Sequence, residues 1–375
     1  MPLSLPAYPP RARSLTGVLT DALAALGGAS EFLPPARSAI VFVIDGLGAA
    51  NLAGRRGHAR FLSSLSSRSA VARTVFPSTT AAALTSLLTG TDPGQHGIVG
   101  YRVRVPGTAT APNQLRGWET DGLDPLTWQR STPILEREKE LGRPTFVVTR
   151  SEYRGTGFTA ATMRGADIFG VDDLGDRVET AARVAAEHPG ALVYLYAPDL
   201  DSVGHRHGWE SDQWSSALER VDAAAARFSA ALDPADGALI TADHGMVDVP
   251  AHRRLLFGED SPLWDGVAVV GGEPRMLHLY AEPGRAADVH AAWAAAESSR
   301  AWVLTRAEAV GAGLFGRVDA EVTERMGDVL VAARAAVAYY DDREPDKASQ
   351  RMVGQHGSLT VEERIVPLLR LGAFA

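Results

Sequence analysis

Four short apolar runs limit how this chain can fold: IVFVID at 40–45, TFVVT at 145–149, ALVYLYA at 191–197 and GALITA at 237–242. None alternates apolar with polar residues, the pattern of a strand with one wet face. Strands that are apolar on both sides need cover on both sides. Segments between them offer it, with apolar residues recurring at three and four over 80–89, 178–187 and 211–231. Strands alternating with helices predict a three-layer α/β core around a mostly parallel sheet. In such sheets, functional groups gather beyond the carboxyl ends of the strands.

Residues 265–340 read differently, as strand, helix, strand and a later strand in RMLHLYAEPG, ADVHAAWAAAESS, RAWVLTRAEA and GDVLVAARAAVAYY. The expected division is a core of 1–264 and 341–375 with a small α+β insertion or cap at 265–340, the chain rejoining the main sheet near 350. The polar stretch 105–130 is long for an idle connection and is expected to face substrate.

Composition narrows the chemistry. The 375 residues carry 37 basic and 45 acidic side chains, a formal charge of −8. That balance weighs against a nucleic-acid polymer as partner, because such binding draws on clustered cations. Arginine far outnumbers lysine, which occurs only at 139 and 347, and we assign this to GC-rich, bacterial coding. No run approaches the roughly 20 apolar residues of a membrane span, and the N-terminal stretch lacks the layout of a signal peptide, so a cytoplasmic protein is expected. With no cysteine, thiolate metal sites, iron–sulfur clusters and cysteine nucleophiles are excluded.

Against that background the Asp and His residues stand out. Asp45 and Asp243 directly follow apolar runs, and Asp201 follows closely after another. His205 lies four residues beyond Asp201, His244 adjoins Asp243, and His356 sits in GQHGS between two glycines, at 354 and 357. Singly, each reads as a helix cap or a structural histidine. Together they form a sulfur-free oxygen and imidazole set that suits Zn²⁺, Mn²⁺ or Fe²⁺ and is large enough for two ions. Two such ions support in-line phosphoryl displacement. A hydroxyl nucleophile fits at a helix N-terminus, where free N–H groups favour an alkoxide and a phosphate. Ser78, Thr79 and Thr80 open the helical segment 80–89, and at least one of them is expected to cap it.

The segments VFVIDGLG, FPSTTAAALTSLLTGTDPGQHGI, PDLDSVGHRHG, ADHGM and GQHGSLTVEERIVPLL, spanning 41 to 369, resemble the alkaline phosphatase superfamily, in particular its type I phosphodiesterase/nucleotide pyrophosphatase branch. The resemblance implies an alkaline-phosphatase-like three-layer core and two divalent ions, Zn²⁺ first and Mn²⁺ or Fe²⁺ otherwise. It implies one site from Asp201, His205 and His356 and another from Asp45, Asp243, His244 and the nucleophile. Counting nine residues back from the Thr-Gly that ends the helix selects Thr80, with Thr79 as the alternative. The four-residue spacing to His205 selects Asp201 over Asp199. His96 and His207 fall within matched segments but are not expected to be ligands.

The implied activity is metal-dependent hydrolysis of a phosphodiester or nucleotide pyrophosphate bond in a small substrate, through a covalent phospho-threonine. Phosphomonoester hydrolysis is the alternative, with phosphomutase behind it. A sulfatase is disfavoured, since its formylglycine precursor is missing. One departure bears on substrate: where the branch usually has Asn after His-Gly-Ile, this chain has Tyr101 as the expected contact to substrate. Arg102, Arg150, Arg154 and Arg164 are further candidates for holding a phosphoryl group.

Overall fold

Strands Arg13–Ser14, Val71–Arg73, Ile365–Gly372, Gly237–Thr241, Ala39–Ile44, Leu192–Ala197, Thr145–Thr149 and Asp167–Gly170 lie side by side in that order. Only Ile365–Gly372 runs antiparallel to its neighbours. The computed structural model that shows this sheet describes residues 5–10, 12–118 and 120–375. The result is a mixed α/β fold with a mostly parallel, eight-stranded central sheet.

The apolar runs become the centre of the sheet. Every residue of Ala39–Ile44, Leu192–Ala197 and Gly237–Thr241 is buried. Burial contributes about 1.5–3 kcal/mol for each large apolar side chain, so the three strands that will carry the site are strongly anchored. Helix Asp212–Ala231 places Phe228 edge-on against Phe42, with ring centroids 5.8 Å apart. It starts where the Ser211 hydroxyl accepts from the Trp214 N–H, and helix Leu174–Glu187 starts where Asp173 accepts from Asp176. Both caps satisfy donors that the first helical turn leaves free.

Between 267 and 333, strands Val267–Glu273, Met276–Ala281, Val329–Ala333 and Ala301–Thr305 form an antiparallel sheet in that order. Alternation splits its two faces. Leu277, Leu279, Val303, Val329 and Val331 join Trp264 and Trp293, the latter from helix Ala286–Glu297, in a separate apolar cluster. Met276, Leu304, Leu330 and Ala332 join the main core. The turn at Pro274–Arg275 is locked from below. Arg275 makes a buried two-bond pair with Glu363, at 2.7 and 2.8 Å, and donates to the carbonyls of Ala335 and Val337.

Two expectations differ in detail. The apolar stretch after 327 is not one strand: the chain turns at Ala335, and Ala338–Asp341 pairs instead with Arg254–Phe257. The main sheet is rejoined at Ile365 rather than near 350, because Gly354–Gln355 first pairs with Val247–Asp248. That detour brings His356 to the site. Among the described residues no helix is long and apolar enough to cross a membrane.

Candidate active site

Three adjacent parallel strands deliver the acidic groups to one edge. Asp45 directly follows Ala39–Ile44, and its N–H continues the ladder to the Ala197 carbonyl at 2.9 Å. Asp243 lies just beyond Gly237–Thr241. Helix Asp199–His207 begins after Leu192–Ala197, and its pitch puts Asp201 and His205 on one face. Gly46, at φ 76°, lets the loop pass close to this helix, since a Cβ there would lie 3.2 Å from the Asp201 backbone and Cβ. His356 arrives on a segment stitched to the start of helix Thr80–Thr89, where the Ser78 N–H donates to the Gly357 carbonyl at 3.1 Å.

The ring protons of the three histidines can be assigned from their partners. His205, His244 and His356 each turn Nδ1 toward a backbone carbonyl, of Gly354 at 2.8 Å, Gly245 at 3.2 Å and Ser78 at 2.9 Å. A carbonyl only accepts, so Nδ1 carries the proton and Nε2 presents its lone pair. Those lone pairs point at oxygens that also only accept. Nε2 of His244 lies 3.4 Å from Asp45 Oδ1 and 3.4 Å from Asp243 Oδ2, and Nε2 of His205 lies 3.3 Å from Asp201 Oδ1.

The second oxygens of Asp45 and Asp243 are engaged. Asp45 Oδ2 accepts from the Tyr196 hydroxyl, and Asp243 Oδ1 accepts from the N–H groups of Gly46 and His244. Asp45 Oδ1, Asp201 Oδ1 and Asp243 Oδ2 are buried with no hydrogen-bond partner among the described residues. Buried acceptors facing buried acceptors are unfavourable unless a cation lies between them. The donor set therefore fits divalent metal ions. Two tight groups emerge, Asp45–Asp243–His244 and Asp201–His244–His356, each with ligand atoms within 4.8 Å of one another. His205 approaches Asp201 without entering either group. Burial, and then the charges of Asp243 and Asp201, push the Asp45 carboxyl well above the usual carboxylate range. Burial, and then His244 and His205, hold His356 well below the usual imidazole range.

Thr80, at the first position of its helix, donates its hydroxyl to His244 Nε2 at 3.0 Å. Ser78 instead donates to the Ser358 carbonyl at 2.7 Å. Thr79 holds the cap position in extended backbone, yet its hydroxyl makes no capping bond and lies beside Glu273. Asp199 pairs with Arg177 at 3.3 Å, away from the cluster. His96 is a buried brace between the Ile98 N–H and the Ser86 hydroxyl, while His207 is exposed.

Two cavities, of about 570 and 670 Å³, meet at Thr80, Leu115, Arg116, Asp201 and Ser202. The first adds Asp45 and Tyr196 with an apolar wall of Leu84, Tyr153, Phe158 and Met163. The second adds His205, His356, Tyr101 and Glu273. Of the four arginines read from sequence, Arg150 lines the first cavity while pairing with Glu152 at 3.2 Å, Arg154 lines a smaller neighbouring cavity, and Arg102 and Arg164 pair with Glu344 and Glu136. Sequence reading missed Arg116, Arg206, Arg351, Tyr196 and Glu273. Only Arg116 had a local signal, its place in the long polar stretch 105–130. Tyr196 meets Asp45 through strand register, and Glu273 is brought in by the antiparallel sheet. Burial raises the Glu273 carboxyl to about 8.

The sequence model of the type I phosphodiesterase/nucleotide pyrophosphatase family matches residues 39–359. The chain belongs to this family. It is a metal-dependent family within the alkaline phosphatase superfamily, and membership makes the protein a phosphohydrolase of the phosphodiesterase/pyrophosphatase type. No curated protein matches the sequence significantly. Among solved structures, murine ectonucleotide pyrophosphatase/phosphodiesterase 5 superposes with a TM-score of 0.70 at 18% identity, over 89% of this chain and 88% of that one. An inactive form of that enzyme in complex with AMP matches with a TM-score of 0.70 and 18% identity, over 90% and 88% of the two chains. Phosphonoacetate hydrolase from Sinorhizobium meliloti, in complex with phosphonoformate, gives 0.69 at 21% identity over 90% and 91%. At these identities the likeness is one of fold.

Proposed function

We propose that this family member hydrolyses a phosphodiester or nucleotide pyrophosphate bond through a phospho-threonine formed on Thr80. The observation that carries the reading is the position of the Thr80 hydroxyl, 3.0 Å from His244 Nε2 and at the junction of two cavities. A phosphorus atom seated there has room for a substituent on each side, which favours a diester over a monoester. The murine neighbour complexed with AMP agrees with a nucleotide-sized ligand.

Asp45, Asp243, His244 and Thr80 would hold one divalent ion, and Asp201, His205 and His356 a second, with Zn²⁺ the first choice for this donor set. When bound, such ions supply positive charge that lowers the pKa of a hydroxyl and offsets charge on phosphoryl oxygens. The chain's own groups do the positioning. Tyr196 fixes one oxygen of Asp45, two backbone N–H groups fix one oxygen of Asp243, and three carbonyls set the imidazole tautomers. Thr80 Oγ1 attacks phosphorus, the ester oxygen opposite departs, and water then cleaves the phospho-threonine. The free N–H groups at the start of Thr80–Thr89 favour the phosphoryl oxygens during both steps. We also read residues 265–340 as a cap on the core of 1–264 and 341–375, reaching the second cavity through Glu273.

The test is a panel of p-nitrophenyl phosphate, bis-p-nitrophenyl phosphate and the p-nitrophenyl ester of a nucleoside 5′-phosphate, assayed with Zn²⁺ and with Mn²⁺. The two diesters should be the better substrates, and a strong preference for the monoester refutes the diester reading. Thr80→Ala should lower kcat by about 10⁴-fold or more while bound metal stays near its original stoichiometry. Wild-type turnover in that variant would remove Thr80 as nucleophile.

A further inference from the structure

His244 and His356 lie face to face, with ring centroids 3.5 Å apart and planes 13° from parallel. They come from distant segments of the chain, so groups outside the rings must set that spacing. One short helical turn, Val361–Arg364, touches both segments. The Glu363 carbonyl accepts from the N–H of Gly245, the residue after His244, at 2.9 Å. The two backbones are in contact there, since a Cβ at Gly245 would collide with the Glu362 carbonyl oxygen. The Glu363 carboxylate accepts from the N–H of Ser358, just beyond His356, at 3.0 Å. Arg364 reaches a third segment, donating to the Thr74 carbonyl from Nε at 3.2 Å and from Nη2 at 2.7 Å, and the Thr74 N–H donates back to the Arg364 carbonyl at 2.9 Å. Thr74 leads into the stretch that carries Ser78 and Thr80.

The Glu363 carboxylate is clamped in this position. Besides Ser358, its Oε1 accepts from Arg275 Nε at 2.7 Å, and its Oε2 accepts from Arg275 Nη2 at 2.8 Å and from the Thr360 hydroxyl at 2.6 Å. Both side chains of the pair are fully buried, and Arg275 is itself tied to the carbonyls of Ala335 and Val337 at 2.7 and 2.9 Å. Ser358 is held on its other sides as well. Its hydroxyl donates to the Ala333 carbonyl at 2.6 Å, and its carbonyl accepts from the Ser78 hydroxyl at 2.7 Å. The Ser78 carbonyl in turn is the one that His356 Nδ1–H meets at 2.9 Å. A buried charge pair gains little stability over a well-packed apolar pair of similar volume. What it adds is direction, because a two-bond clamp fixes an oxygen where an alkyl group would slide.

We propose that Glu363 is a positioning residue for the metal centre: its carboxylate sets His356 through Ser358, its backbone sets His244 through Gly245, and Arg275 brings the rigidity of the antiparallel sheet to bear on both. That sheet thereby helps to build the centre as well as cover it. The proposal rests on the reading of His244 and His356 as ligands and adds to it the groups that fix their mutual distance. Ligand distances must hold within about 0.2 Å. A shift of His356 relative to His244 that is far too small to unfold the chain therefore weakens the centre.

Two double variants separate positioning from stability. Arg275→Met/Glu363→Leu removes the charge pair and the acceptor for the Ser358 N–H, whereas Arg275→Met/Glu363→Gln removes the charges but keeps an amide oxygen for that N–H. Zn²⁺ affinity is read by competition with a chromogenic chelator. The position of His356 is read without metal, from the NMR signal of its ¹⁵N-labelled imidazole Nδ1–H, identified by its absence in His356→Gln. The Leu variant should bind Zn²⁺ about 10–100-fold more weakly and lose or shift the His356 signal, and the Gln variant should stay within about threefold of wild type. Wild-type affinity and signal in the Leu variant overturn the proposal. An equal loss in both variants also overturns it, because the charges alone would then account for the effect. Should the Leu variant not fold, Arg275→Lys replaces it, since lysine keeps the charge and gives up the two-bond clamp. A shifted His356 signal with weaker Zn²⁺ binding then upholds the proposal, and wild-type values overturn it. A wild-type protein that binds no Zn²⁺ refutes the ligand reading, while the metal-free His356 signal still decides this one.

Discussion

Replacing Asp243 by Asn separates what the acidic cluster costs the empty protein from what it gains by holding ions. Asp243 Oδ1 already accepts from two backbone N–H groups, so the Asn oxygen will take that place and its NH₂ will replace Oδ2. There the NH₂ meets Asp45 Oδ1, an acceptor with no partner among the described residues, and His244 Nε2, which already accepts from the Thr80 hydroxyl. Ligand oxygens of Asp45 and Asp243 lie within 4.8 Å, where two unit charges repel by about 3.5 kcal/mol at an effective dielectric of about 20. The raised Asp45 pKa shows that protonation relieves part of this, so we expect a gain of about 2 kcal/mol in metal-free protein. With an unfolding entropy of about 2 cal/mol/K per residue, that gain over 375 residues raises Tm by about 2–3 °C. With metal the order reverses. Wild type should gain about 2.7 kcal/mol at a hundredfold excess over Kd, and the variant much less. Thermal melts of both proteins, with chelator and with Zn²⁺, read all four values. A chelated variant melting at or below chelated wild type would refute the reasoning.

Tyr196→Phe removes the hydroxyl that orients Asp45 and should weaken metal binding about 10–100-fold, measured by competition with a chromogenic chelator. Arg275→Ala leaves Glu363 buried and charged with only Ser358 N–H and the Thr360 hydroxyl as donors. It should lower stability by about 3–5 kcal/mol in urea titrations, and Arg275→Met/Glu363→Leu should recover much of that loss. Glu273 holds its proton up to about 8 in the folded chain against an ordinary 4.5. The folded state therefore binds more protons between those values, and stability falls as pH rises through that window. Urea midpoints of Glu273→Gln across the same window should show a shallower pH slope than wild type, and identical slopes would exclude Glu273 as their source.

Much of the fold was legible because buried parallel strands leave a signature that needs no partner to be seen. Ala39–Ile44, Leu192–Ala197 and Gly237–Thr241 read as apolar runs, and Thr80–Thr89 and Asp212–Ala231 as helical periodicity. The stretch 327–340 misled because Val329–Ala333 and Ala338–Asp341 are both apolar, and their separation depends on a turn set by contacts with other segments. The site was partly legible for a related reason. Asp45, Asp243 and His244 sit immediately beyond strand ends, whereas Tyr196, Glu273, Arg206 and Arg351 carry no sign of their neighbours.

By itself the sequence determined the chemical inventory: no thiol, three carboxylates and three imidazoles at or near the ends of short runs, and hydroxyls at a helix start. Composition and local periodicity depend on nearest neighbours along the chain, which is why they survive without coordinates. Only tertiary structure decided which oxygens are left without partners, which ring nitrogens are free, and that two unlike cavities meet at Thr80. Those properties arise between segments as distant as Ser78 and His356, and they are set by strand register and by which backbone carbonyl each imidazole meets.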